Sequence, residues 1–98
     1  MQKLYIIRSG KTQLFKIGIS KSPEKRLKQL QTGNPNILKI YFVFTISNKY
    51  QYLKAVKVEN TIHKYLKECS GKHILNEWFN LTDDEVIKIA ECLINNFS

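Results

Sequence analysis

The chain has little cysteine, no long apolar run, no repeat and few acidic residues over residues 1–75, and each shortage removes a class of protein. Cys69 and Cys92 are its two cysteines. Without CxxC spacing they read as reduced thiols, not as a disulfide framework. Adding His63 and His73 to them gives spacings that match no common zinc pattern. No segment has the length or apolar purity of a membrane span, and the opening MQKLYIIRSG lacks the apolar stretch and cleavage region of a secretory signal. A cytoplasmic protein with no membrane partner is the expectation. No linker or low-complexity tract interrupts the 98 residues, so a single domain over 1–98 with one modest core is expected.

What the chain does have is positive charge, unevenly placed. Residues 1–75 hold fifteen Lys and Arg against Glu24, Glu59 and Glu68, a net +12. Residues 76–98 hold Lys88 against Glu77, Asp83, Asp84, Glu85 and Glu91, a net −4. Such asymmetry suits a polyanion on one side of the molecule. Fourteen of the sixteen basic residues are lysines, which suit sequence-independent attraction to phosphates and equally a solubilising surface.

Local signals give the order of elements. Lys3–Arg8 and Leu14–Ser20 read as strands joined through Ser9-Gly10-Lys11-Thr12-Gln13, a hairpin connection by length and glycine. Ser22-Pro23 starts a helix, serine as its cap and proline in its first turn, and Thr32-Gly33 ends it after Gln31. Ile37–Ile46 is rich in β-branched and aromatic residues and reads as a third strand, the most buried of the three. From about 49 to 68 the period becomes helical, with Tyr52, Ala55, Val56, Ile62 and Leu66 on one face. A Ser70–Asn76 loop leads to a short extended segment at Trp78, Phe79 and Leu81. Thr82-Asp83-Asp84-Glu85 forms a capping box, and Val86, Ile87, Ala90, Leu93, Ile94 and Phe97 supply the apolar face of a closing helix. The order is β-β-α-β-α, then a short strand and a helix, which makes an α+β fold.

Several residues sit where a core would not choose them. In LFKIGIS, Phe15, Ile17 and Ile19 face one way and Lys16 and Gly18 the other. A strand glycine costs about 0.5–1 kcal/mol relative to alanine and marks a bulge or a close approach. The simplest alternative is a bulge beside an exposed lysine. Glu59 and His63 fall in the middle of the apolar arc of the 49–68 helix, one turn apart. A carboxylate there needs a cation, hydrogen-bond donors or a metal to replace its hydration. A buried pair and a metal ligand both meet that need, and His63 by itself reads first as a structural ion pair or an orienting hydrogen bond. Arg26 is one of only two arginines; its planar fork suits phosphate, or it is an exposed helix cation.

Taken in order, Tyr5 within LYII, Lys16-Ile17-Gly18, Arg26, Glu59 and His63 within VENTIH, and Glu77-Trp78-Phe79 resemble the GIY-YIG endonuclease superfamily. The match is nearest to its short phage- and bacterial-type branch, with a Lys-Ile-Gly second motif and a Glu-Trp-Phe element after the glutamate helix. It covers nearly the whole chain, and six motifs in order are more specific than any one of them. The resemblance implies a three-stranded antiparallel sheet flanked by helices. It also implies hydrolysis of a DNA phosphodiester with one magnesium or manganese ion. Tyr5 takes the place of the tyrosine that activates or positions the attacking water, and Glu59 that of the metal-holding glutamate. Arg26 would bind the phosphate, Lys16 would assist a neighbouring tyrosine or water, and Gly18 would let the DNA backbone approach. Lys21 joins Lys16, Gly18 and Arg26 as nucleic-acid-binding residues.

The chain departs from the family pattern at three points. Lys16 stands where the second motif usually has tyrosine. Leu30 stands where many members have histidine, with His63 a replacement from the neighbouring helix. The asparagine after the metal glutamate has no clear equivalent among Asn76, Glu77 and Asn80, and Trp78 and Phe79 read as core anchors. A DNA endonuclease or nickase is therefore expected first. A non-catalytic nucleic-acid-binding module on the same scaffold, or a phage-type protein-interaction or inhibitory module, is the alternative. A homodimer is compatible with two cuts but nothing in the residues requires one.

Overall fold

Alternating side chains in KLYIIRS and LFKIGIS make strands β1 (Lys3–Ser9) and β2 (Leu14–Ser20) in the computed structural model of the chain. The structure describes residues 3–45, 57, 59, 60, 62–64, 73–75 and 78–97. The two strands pair antiparallel, with Tyr5 opposite Gly18, Ile6 opposite Ile17 and Ile7 opposite Lys16. The expected hairpin turn forms. Gly10 takes φ +59°, a left-handed conformation that glycine adopts without steric cost. Its N–H donates to Ile37 O at 2.7 Å, tying the turn to the entry of the next strand.

Helix α1 (Pro23–Gln31) starts and stops where the sequence signals place it. Ser22, expected as a side-chain cap, makes no capping bond; its N–H donates instead to Ser20 Oγ at 3.0 Å. Proline at the first helical position already fixes φ there and has no N–H to satisfy. At the far end Gln31 clamps the connection, donating from Nε2 to Asn36 O and accepting from Leu38 N–H at Oε1, both at 2.8 Å.

Strand β3 (Leu38–Thr45) pairs with β1 and lies at the sheet edge, with Tyr41 and Val43 exposed. It is thus not the most buried strand, as its composition predicts. Apolar content says how well a segment suits a sheet, not which neighbours it receives. The register shifts between Ile6, opposite Phe42, and Ile7, opposite Ile40, so Tyr41 is an extra residue. That bulge reverses the alternation within β3. Leu38 and Ile40 join the cluster of Tyr5 and Ile7, whereas Phe42 and Phe44 join that of Leu4 and Ile6.

Two further strands, β4 (His73–Leu75) and β5 (Trp78–Asn80), form a second small hairpin. The sheet is five-stranded and antiparallel throughout, in the order β3-β1-β2-β5-β4. The three strands that the resemblance implies lie side by side, and the expected short strand is β5, held extended against β2 by Trp78 and Phe79 packing on opposite faces. The addition is β4, where part of the expected 70–76 loop pairs with β5.

Helix α2 (Asp83–Phe97) opens with the reciprocal capping box. Thr82 N–H donates to Glu85 Oε1 at 2.9 Å and Glu85 N–H to Thr82 Oγ1 at 3.2 Å. Its buried stripe is Val86, Ile89 and Leu93, whereas Ile87 and Ile94, predicted as core, are 45% and 47% exposed. At 100° per residue, Ile87 and Ile94 lie roughly 80–100° round the helix from Val86. One face of the sheet carries Leu4, Ile6, Phe15, Ile17, Phe44 and Phe79 under α2 and Ile62; the other carries Tyr5, Ile7 and Leu38 under Leu27 and Leu30 of α1.

Residues 57, 59, 60 and 62–64 are helical, in agreement with the predicted 49–68 helix. The rest of that helix, Ile46, Cys69, Asn76, Glu77 and the Phe97 side chain lie outside the described residues. Among the described residues no helix is long and apolar enough to cross a membrane.

The packing predicts unequal effects within one helix, readable by urea denaturation. Leu93→Ala should cost about 2–5 kcal/mol, and Ile87→Ala less than about 0.5 kcal/mol. Thr82→Ala should cost about 1 kcal/mol through the lost cap.

Candidate active site

The face of the sheet under α1 gathers the first two motifs. Tyr5 and Gly18 are direct cross-strand partners, so the tyrosine has a neighbour without a side chain. Tyr5 is 2% exposed and its ring belongs to the cluster of Ile7 and Leu38; chemistry at this residue is confined to its hydroxyl. Lys16, two residues from Gly18 on the same face, is opposite Ile7 and also opposite Trp78 of β5. It is 5% exposed, with Nζ 5.7 Å from the centroid of the Trp78 ring. That is within cation–π range, which compensates part of the hydration a buried ammonium loses. The alternative of an exposed lysine beside a bulge does not hold: β1 and β2 pair without a register shift from Lys3 to Arg8.

The two arginines differ in what they hold. Arg8 Nε–H donates to Thr12 O at 2.8 Å, its Nη1 lies 3.7 Å from Asp83 Oδ1, and its guanidinium sits 5.5 Å from the Phe15 ring centroid. It joins the hairpin turn to the start of α2. Arg26, half-buried on α1, donates from Nη1 to Gln29 Oε1 at 3.2 Å on the exposed side of the helix. Lys25 and Lys28 are exposed beside it, three residues apart on α1, and Lys21 is exposed just before the helix. Leu30 packs against the Tyr5 cluster, so the position where many relatives of the resembled superfamily have histidine is a core position here.

Glu59 and His63 come from the helical segment on the other side of β2. His63 Nε2–H donates to Ile17 O at 2.8 Å, and its ring meets Phe79 edge-on with centroids 5.2 Å apart. Ile62 packs on the apolar cluster under α2. Glu59, one turn before His63, is half-buried and its Oε2 is shielded from solvent. Phe79 is fully buried and Trp78 packs against the Tyr5 cluster, so both act as core anchors. Asn80 is exposed on β5.

The donor set separates classes of metal. Among the described residues, no three His, Cys, Asp or Glu side chains cluster as metal ligands, and Cys92 is exposed on α2. A zinc-type cage of described side chains is therefore not formed. One shielded carboxylate, Glu59, fits a magnesium-like ion, which keeps several waters and takes one or two carboxylates with substrate phosphates.

No curated protein and no solved structure matches the chain. A family model, T5orf172 domain, matches residues 2–94. With nearly the whole chain matched, the protein belongs to the T5orf172 domain family, a nuclease-related family associated with GIY-YIG-like endonuclease domains of phage.

Proposed function

We propose that the protein is a metal-dependent DNA endonuclease of the short GIY-YIG branch whose second motif reads Lys-Ile-Gly. The observation that carries this reading is Lys16, buried at 5% exposure on the same sheet face as Tyr5. Lysine is almost never fully buried unless it is paired, and this position keeps its ammonium beside the tyrosine face.

In this reading Glu59 holds magnesium or manganese. The bound ion would polarise the scissile phosphate and stabilise the leaving oxygen. The Tyr5 hydroxyl orients the attacking water, and the Lys16 ammonium stabilises negative charge that develops there. Gly18 keeps the strand surface low beside Tyr5. Arg26 grips phosphate oxygens with its planar fork, and Lys21, Lys25 and Lys28 add attraction without sequence preference. A cytoplasmic location suits a protein that acts on DNA. Leu30, packed against the Tyr5 cluster where many members have histidine, favours one second reading: a nucleic-acid-binding module that keeps the scaffold and does not cut.

Conversion of supercoiled plasmid to nicked or linear form, with magnesium, manganese or EDTA, separates the two. Wild type should cut only with metal, and folded Tyr5→Phe and Glu59→Ala should each lose at least about 100-fold in rate. Plasmid bound but uncut by wild type would favour the binding module. In either reading, Lys25→Gln/Lys28→Gln should weaken DNA binding and lower the salt slope by about two phosphate contacts; an unchanged slope would remove α1 from the interface.

A further inference from the structure

Three sequence motifs meet at one imidazole. His63 belongs to the glutamate helix, packs edge-to-face with Phe79 from the Glu-Trp-Phe element, and donates to the carbonyl of Ile17 in the centre of Lys16-Ile17-Gly18. The β2–β5 register covers Leu14, Phe15 and Lys16, so Ile17 is the next residue along β2 after the last pair. We propose that His63 is a positioning residue: its bond to Ile17 fixes the helical segment on β2 and thereby sets where Glu59 stands relative to the Tyr5–Gly18 pair. The proposal rests on the reading of Glu59 as the metal residue.

The chemistry of the bond supports this role over proton transfer. A carbonyl oxygen only accepts, so Nε2 carries its hydrogen in both the neutral and the cationic imidazole. That nitrogen is not available as a base while the bond lasts. Phe79, fully buried and 70° to the imidazole plane, limits rotation of the ring. Glu59 precedes His63 by about one helical turn, roughly 6 Å along the axis. Displacement of such a segment by 1 Å is enough to cost about 100-fold in a positioned reaction.

Glutamine offers an N–H donor at similar reach and no imidazole chemistry, so His63→Gln and His63→Ala separate the roles. His63→Ala should lose about 10–100-fold in metal-dependent cutting, as loss of an outer-shell partner does, and His63→Gln should recover most of it. Equal loss in both folded variants would overturn the proposal and return His63 to proton transfer. Two readouts do not depend on cutting. Nitrogen-15 spectra of the neutral imidazole should show the Nε2–H tautomer; the Nδ1–H tautomer would overturn the bond. The amide resonances of Glu59 and Ile17 should move in His63→Ala and return towards wild type in His63→Gln; an unmoved Glu59 would overturn the positioning. If wild type does not cut, the nuclease reading fails while these spectra still decide what His63 holds.

Discussion

Strand β1 has β3 on one side and β2 on the other, with a helical layer over each face, and Leu4, Tyr5, Ile6 and Ile7 are all buried. Four consecutive shielded residues must satisfy their backbone through ladders on both sides and their side chains through packing on both faces. Leu4 and Ile6 meet the α2 layer, and Tyr5 and Ile7 meet the α1 layer. The tyrosine is therefore held by the whole fold. Its hydroxyl is the single polar group on a side chain that every neighbouring element helps to fix.

The charge asymmetry acquires two separate meanings in the structure. Asp83, Asp84 and Glu85 occupy the first turn of α2, where carboxylates oppose the positive end of the helix dipole, and Asp83 faces Arg8. These acidic residues have structural uses. The exposed lysines of α1, Lys25 and Lys28, have no such partner among the described ion pairs. Strand β5 joins the two layers: Trp78 lies against Lys16 on one face and Phe79 against His63 on the other.

Features written in adjacent residues are legible in the sequence. The glycine hairpin, Pro23 at the start of α1, the Thr82–Glu85 box and the shared face of Lys16 and Gly18 follow from turn chemistry, capping and a period of two. Features that depend on distant neighbours were not legible. Ile37–Ile46 reads as a core strand because nothing in it states that one side has no partner. The extra residue at Tyr41 leaves no local signature. VIKIAECLI has more apolar positions than one stripe buries, and only the sheet beneath selects Ile89 over Ile87. The carbonyl that receives His63 lies 46 residues earlier in the chain, beyond the reach of any spacing argument.

The proposed function needs a divalent cation at Glu59 and not at the acidic first turn of α2. Titrating manganese into the nitrogen-15-labelled protein and mapping paramagnetic line broadening measures that choice directly. Broadening centred on the amides of Glu59 and its neighbours, and absent in Glu59→Ala, is the result expected. Broadening confined to Asp83, Asp84 and Glu85, and unchanged in Glu59→Ala, would contradict it.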